Sequence, residues 1–246
     1  DDPTLIRALL KAGAEVDAEN NEGITALMWS LQTETCDHTG RDMPEFLKRE
    51  RNRRAVVAEL LRSGADANIV CYSKRRMKWT PLLFATCAPD LNASAISALI
   101  RSGANVNAQT EEALTPLFHA AANGRSSDAV RELLEAGAEV DAAGKQKGRE
   151  GWTPLLYALA APYRSLPIVR ELIKNGAEVN LTVRGGFTPL LFAVEWGNPE
   201  AVSELLKAGA KVDARDKDGN SALDCAMAKN YKQVVRRLLN AGTGGP

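Results

Sequence analysis

The stretch that decides the fold runs from Gly186 to Ala214 and reads GFTPLLFAVEWGNPEAVSELLKAGAKVDA. Thr188 followed by Pro189 predicts a helix start, because threonine caps a helix and proline fits its first turn. Asn198 followed by another proline predicts a second helix soon afterwards. Gly209 then offers a left-handed helix end before the extended AKVDA run. The stretch therefore predicts two short helices and an extended finger.

The same pattern recurs along the whole chain. A glycine follows a Leu-rich helix end at Gly13, Gly64, Gly103, Gly137, Gly176, Gly209 and Gly242. Helix starts recur at Thr25, Thr80, Thr115, Thr153, Thr188 and Ser221. A unit this small cannot bury its own apolar stripe, so neighbouring copies must stack and share a core. With a shortest spacing of 33 residues, the units resemble ankyrin repeats, which have that period.

The resemblance implies an all-α ankyrin-repeat solenoid of stacked helix-turn-helix units with β-hairpin fingers. We expect a single domain, 1–246, with a partial repeat at its N-terminal end and a capping repeat with a tail at its C-terminal end. The predicted boundaries are 1–19, 20–69, 70–108, 109–142, 143–181, 182–214 and 215–246. Leucines at helical spacing are predicted to be buried, namely Leu133, Leu172, Leu205 and Leu238.

Two irregularities in the pattern carry further expectations. The first complete repeat contains an insertion from about Gln32 to Arg54, and Pro44 to Arg62 is predicted to be largely one lengthened helix because no glycine or further proline interrupts it. The glycine of the turn before the helix start is replaced by Lys78 and Ala113 in two fingers. Those two turns are expected to differ in shape, because residues other than glycine resist a positive φ.

Composition and charge limit the classes of function that the chain can be expected to have. The 31 basic residues balance the 31 acidic ones, so no chain-wide field recruits nucleic acid or an anionic membrane. No stretch is long and apolar enough to predict a membrane span. The chain shows no signal sequence, although it begins part-way through a repeat. Cysteines scattered without CxxC spacing favour free thiols in a reducing, cytoplasmic setting; they are Cys36, Cys71, Cys87 and Cys225.

Residues for catalysis or metal binding do not form a recognisable pattern. His38 and His119 are the two histidines, and neither stands in a nucleophile or metal-ligand motif. Cys36 lies near His38, and a third ligand from Cys71 or Cys87 would have to come from another loop. We expect no enzymatic activity, no cofactor and no metal, and we expect His119 to fill a packing position on a first helix.

The residue before each helix start is a more informative series. Its six members are Ile24, Trp79, Leu114, Trp152, Phe187 and Asn220. All of them except Asn220 are large and apolar. In ankyrin repeats this finger position lies toward the concave surface that binds partners. A tryptophan in a turn must cover something, which is either the next finger or a bound partner. The two interpretations are compatible.

Two fingers are longer than the others and basic. One contains Lys74, Arg75, Arg76 and Lys78, and the other contains Lys145, Lys147 and Arg149. The short finger between them carries Glu111 and Glu112. This alternation of charge suits a specific peptide or protein better than a uniform polyanion.

The resemblance and the finger pattern together predict a non-enzymatic protein- or peptide-binding module, a monomer, with its partner held by the fingers and first helices. The first-helix surface at Glu195 and Trp196 is included in the candidate site. An acidic segment of the partner would meet the basic fingers. One alternative is a regulatory or targeting segment of a larger enzyme, and a second is a nucleic-acid surface, which the zero net charge disfavours.

Overall fold

The protein is a stack of short helices joined by fingers. The structure, a computed structural model, describes residues 2–31, 43–73, 76–88, 93–161 and 165–243. Its helices are α1 (Pro3–Lys11), α2 (Ala26–Leu31), α3 (Met43–Arg62), α4 (Pro81–Cys87), α5 (Ala93–Arg101), α6 (Pro116–Asn123), α7 (Ser127–Glu135), α8 (Pro154–Ala160), α9 (Leu166–Lys174), α10 (Pro189–Glu195), α11 (Pro199–Lys207), α12 (Ala222–Ala228) and α13 (Lys232–Thr243). Strands β1 (Cys71–Ser73) and β2 (Arg76–Trp79) form one antiparallel hairpin within the second finger.

The helices form two rows. The first helices of the repeats, α2, α4, α6, α8, α10 and α12, each contact the next member of their row. The second helices, α1, α3, α5, α7, α9, α11 and α13, do the same. A finger precedes each first helix, and we number the fingers one to six by the helix starts Thr25 to Ser221. The predicted all-α solenoid is confirmed.

The core is continuous from one repeat to the next. Leu133, Leu172 and Leu205 are fully buried, and Leu238 is 1% exposed, as predicted. Each belongs to a second helix and packs against helices of its own and of the adjoining repeats. Burying one such side chain is worth about 1.5–3 kcal/mol. The contacts between repeats are therefore the main source of stability.

The insertion continues into one long second helix. Helix α3 runs without a break from Met43 to Arg62, which confirms the lengthened helix predicted over Pro44 to Arg62. The preceding part of the insertion, 32–42, lies outside the described residues.

At the other end of the chain, Gly242 lies inside α13 although the sequence pattern aligns it with the helix-ending glycines. Glycine permits a left-handed turn but does not compel one.

The finger turns correct one expectation. Lys78 has φ 59° and Ala113 has φ 58°, so both adopt the left-handed conformation that Gly23 adopts at φ 69°. The Ala113 N–H donates to the carbonyl of Thr110 just as glycine donates at the same place in other fingers. The prediction that these turns differ in shape was wrong. The hydrogen bonding of the finger overrides a local cost of about 1–2 kcal/mol for a residue that has a Cβ.

A ladder of five Asn and Asp side chains joins each repeat to the next, from the partial repeat at the N-terminal end to the repeat 182–214. Each accepts a hydrogen bond from a backbone N–H of the next repeat: Asp17 from Asp66, Asn68 from Asn105, Asn107 from Glu139, Asp141 from Glu178 and Asn180 from Lys211. The asparagines also donate to a carbonyl of the next repeat, at Gly103, Gly137 and Gly209. An ionised aspartate has no proton with which to do so. The ladder fixes the register between fingers.

A second set of polar contacts joins neighbouring second helices. It pairs Arg7 with Glu59, Ser97 with Glu132, Arg131 with Glu171, Arg170 with Glu204 and Ser203 with Arg237. The partners occupy equivalent positions of successive repeats, and Ala58 and Ala98 interrupt the series. Most of these groups are partly exposed, so each pair contributes little to stability. Their main effect is to specify the register between neighbouring second helices, and their contribution to the free energy of folding is small.

The ladder predicts the effect of Asp141→Asn. Burial raises the pKa of Asp141, as does the charge of Glu178, while the hydrogen bond from the Glu178 N–H lowers it. Because its folded pKa lies above the unfolded value, the ionised form at neutral pH disfavours folding. The amide removes that charge and can donate to the Gly176 carbonyl, as Asn180 donates to Gly209. We expect a gain of about 1 kcal/mol at pH 7.

The matched control is Asn180→Asp, which should lose about as much by deleting the bond to the Gly209 carbonyl. Denaturant midpoints at pH 7 and pH 3 measure both effects. The advantage of Asp141→Asn should shrink at pH 3, where Asp141 is largely protonated in both states. Equal stability of Asp141→Asn and the parent chain at pH 7 would contradict this account of the ladder.

Candidate functional site

The candidate site is the surface made by the fingers and the exposed sides of the first helices, which we call the finger face. Its apolar part is a row of rings. The Trp79 ring centroid lies 5.3 Å from that of Phe84 in the same repeat and 5.2 Å from that of His119 in the next. Trp152 lies 5.0 Å from Tyr157 and 4.8 Å from Phe192 in the same manner.

The row therefore repeats one arrangement. Trp79 and Trp152 each pack on their own first helix and on the first helix that follows, and Phe187 packs on Phe192 of its own first helix at 5.3 Å between ring centroids. His119 holds the packing position predicted for it. The finger rings contribute to the joint between repeats, so the packing interpretation of the series accounts for part of their presence.

Packing leaves part of the row accessible. Trp79, Trp152 and Phe187 are half-buried, so part of each side chain remains accessible to solvent. Leu114 is only 6% exposed and packs with Phe118 and Tyr157. It supports the surface from beneath and offers little area to a partner.

The fourth finger is a closed, hydrogen-bonded loop folded onto the third repeat. The Gly144 N–H donates to the Trp152 carbonyl at 3.0 Å, and the Gly151 N–H donates to the Gly144 carbonyl at 2.9 Å. The Lys145 N–H donates to the Glu112 carbonyl of the third finger at 2.8 Å. A Cβ on Gly144 would lie 2.9 Å from Leu114 Cδ2. The close approach of this loop explains why glycine stands at position 144.

The charged finger residues that the structure describes are exposed on the second, third and fourth fingers. Lys145, Lys147 and Arg149 are exposed on the fourth finger, and Glu111 and Glu112 are exposed on the third. The backbone bond between Lys145 and Glu112 brings the basic and acidic fingers side by side. On the second finger Lys78 is exposed. Lys74 and Arg75 lie outside the described residues, and so does the side chain of Arg76.

Sequence reasoning missed two exposed aromatic residues. Trp29 is 59% exposed and Tyr72 is 65% exposed. Trp29 stands at the first-helix position where Phe84 is 2% exposed. The residue before its helix start is Ile24, which has no ring to pack on Trp29 as the Trp79 ring packs on Phe84. The pairing of a tryptophan with an aliphatic finger residue is the signal that could have revealed it.

Tyr72 is exposed because the strand alternates. Its neighbour Cys71 in β1 is fully buried, with its thiol 3.6 Å from the Glu22 carbonyl of the first finger. Successive side chains of a strand point to opposite faces, so Tyr72 faces outward. The exposure of Tyr72 was not predicted because the sequence of this lengthened, basic finger shows no clear strand alternation.

Glu195 and Trp196 lie apart from the fingers. Trp196 is 54% exposed, and the Glu195 carboxylate pairs with Lys229 Nζ at 2.6 Å. This hydrogen bond raises the pKa of Lys229. Helix α10 begins beside the fifth finger and ends at Glu195, which separates the pair from Phe187 by roughly 10 Å of helix. They form a separate patch at the far edge of the first helices.

The described residues offer no group of His, Cys, Asp and Glu side chains that could hold a metal ion. Cys36 and His38 lie outside those residues. Of the described cysteines, Cys71 is buried, Cys87 is exposed and Cys225 is partly buried. None of the described helices has both the length and the apolar character needed to cross a membrane.

The family follows from the repeated helix pairs and fingers. The family model described as ankyrin repeats, three copies, matches residues 47–144, 87–183 and 158–244. The chain belongs to the ankyrin repeat family. Ankyrin repeats are generally protein–protein interaction modules and are typically non-enzymatic. A comparison with curated proteins gave no match.

The finger face predicts different effects for its two kinds of tryptophan. Trp152→Ala removes contacts with Tyr157 and Phe192 and should lower the free energy of unfolding by about 2 kcal/mol. Trp29→Ala removes a largely exposed ring and should cost less than about 0.5 kcal/mol. Urea denaturation of both variants measures the difference. Equal losses would show that Trp29 is packed as firmly as Trp152.

Proposed function

We propose that the chain is a non-enzymatic module that binds a protein or peptide along the finger face, centred on the second to fourth complete repeats. The observation that carries the proposal is the fourth finger. It is held in one shape by hydrogen bonds to itself and to the third finger, and it exposes three cationic side chains beside the half-exposed Trp152. An ordered, charged loop next to an accessible aromatic ring has the composition of a recognition surface.

The apolar part of the face would supply the anchors. Trp79, Trp152 and Phe187 are already fixed by their neighbours, so a partner that covers their edges spends little entropy in ordering them. Trp29 and Tyr72 extend the exposed aromatic area toward the first finger. A well-covered ring of this kind contributes about 2 kcal/mol or more to binding.

The charged part of the face would orient the partner. Lys145 and Lys147 are exposed on the fourth finger, and the Lys145 N–H donates to the Glu112 carbonyl of the third finger, whose Glu111 and Glu112 are also exposed. A partner with an acidic segment at the fourth finger would be attracted there and repelled one finger away. The glutamates and the zero net charge favour a protein partner over nucleic acid, whose phosphates are uniformly negative.

The partner is identified by affinity capture on the intact chain followed by mass spectrometry, and the site by repeating the capture with variants. A partner that is retained by the parent chain and by Trp196→Ala but lost by Trp29→Ala supports the finger face. A partner that finger variants retain, and that substitutions on the exposed sides of the second helices remove, would place the site elsewhere.

Charge reversal tests the basic finger. Lys145→Glu together with Lys147→Glu should slow association with the captured partner by about tenfold at low salt, because exposed charges act on the encounter. The melting temperature should not change, since both side chains are solvated. The control is the same reversal at Lys174 and Lys232, which are exposed on second helices. If both pairs slow association equally, only net charge matters and the fourth finger is not the site.

A further inference from the structure

Arg149 is held differently from the other arginines that the structure fixes in place. Those are paired with carboxylates: Arg7, Arg62, Arg131, Arg170, Arg184, Arg215 and Arg237. The guanidinium carbon of Arg149 instead lies 4.9 Å from the centroid of the Trp152 ring and 5.2 Å from that of Tyr157. In the described part of the chain no carboxylate pairs with it.

The loop that carries Arg149 is fixed on both sides of the residue. The Arg149 N–H donates to the Gln146 carbonyl at 2.9 Å, and the Trp152 N–H donates to the Arg149 carbonyl at 3.1 Å. The Tyr157 hydroxyl donates to the Gln146 side-chain oxygen, which ties the tip of the finger to α8. Backbone and side chain of Arg149 are therefore both constrained.

Glu150, the acidic residue next to Arg149 in the sequence, does not pair with the Arg149 guanidinium in the described structure. Glu150 accepts a hydrogen bond from the Gly148 N–H at 2.9 Å, which holds the pKa of Glu150 below its usual range. Its other oxygen faces Arg184 at 3.9 Å. Glu150 thus stays ionised within its own loop, and the Arg149 donors remain uncommitted on an exposed side chain.

A guanidinium held on aromatic rings keeps all five N–H donors in its own plane, where they match a carboxylate in two parallel bonds. Contact with two rings also restricts the side chain in advance, which lowers the entropy lost when a ligand binds. A lysine at the same place would keep the charge but would lose the fork and most of the stacking.

We propose that Arg149 is the residue that recognises a carboxylate side chain of the partner, with Trp152 and Tyr157 holding its guanidinium in place. This inference rests on the proposed function and adds a division of roles to it: Arg149 makes the specific contact, while Lys145 and Lys147 attract the partner without fixing its geometry. A carboxylate fits better than a phosphate monoester because Glu111 and Glu112 lie on the adjoining finger, and a group with nearly two negative charges is repelled more strongly.

The experiment uses random peptides displayed on phage and selected on the intact chain. Selected peptides should contain Asp or Glu at a constant distance from an apolar residue. For one such peptide, Arg149→Lys should weaken binding at least about tenfold, because the charge remains but the bidentate geometry is lost. The matched control Lys147→Arg should change it less than about twofold.

A double-mutant cycle assigns the contact. Changing the acidic residue of the peptide to its amide should weaken binding to the parent chain about tenfold and should add little once Arg149 is lysine. Replacing that residue by phosphoserine should also weaken binding. Tighter binding of the phosphoserine peptide would overturn the assignment to a carboxylate, and additive losses would overturn the contact itself.

The selection also separates this inference from the proposal beneath it. Peptides that lack acids but lose binding in Trp29→Ala or in the double reversal at Lys145 and Lys147 would leave the finger face as the site and remove Arg149 from its specific role. Peptides indifferent to every finger substitution would contradict the proposed function as well.

Discussion

The fold depends on one constraint: the helix pair of each repeat has apolar residues on the two sides that face the neighbouring repeats. Neither side can be covered from within the repeat, so each pair is stable only between neighbours. The ladder of Asn and Asp side chains then decides how the neighbours meet, because every rung joins a side chain of one finger to a backbone N–H of the next. Apolar burial supplies most of the free energy, and the ladder supplies the register.

That register also creates the finger face. Once the repeats stack in phase, the Trp79 and Trp152 rings, each directly before a helix start, contact two successive first helices. The same position must therefore serve stability and remain near the surface, which explains half-buried tryptophans better than either role alone. The proposed recognition elements would gain a rigid support in this way, and the fourth finger, which carries Arg149 over two rings, is the clearest instance.

Much of this follows from the sequence because its signals are local. Thr188 caps α10 and Asn198 caps α11 as their spacing predicts, and the long α3 follows from an uninterrupted helical pattern. The shape of the turns at Lys78 and Ala113 did not follow, since the register of the stack overrides the preference of a single residue. The exposure of Trp29 has only an indirect signal in the sequence, namely that Ile24, the residue before its helix start, carries no ring. The position of Arg149 over two rings depends on the conformation of the lengthened fourth finger, which the spacing of the repeats does not predict.

The central claim is that the partner lies on the fingers and first helices and not on the second helices. Hydrogen–deuterium exchange of the intact chain, with and without the captured partner, tests this most directly. The account predicts slower exchange in the third and fourth fingers, at Glu111–Leu114 and Gly144–Trp152, with no change along α7, α9 and α11. Protection confined to those second helices, with the fingers unaffected, would contradict it.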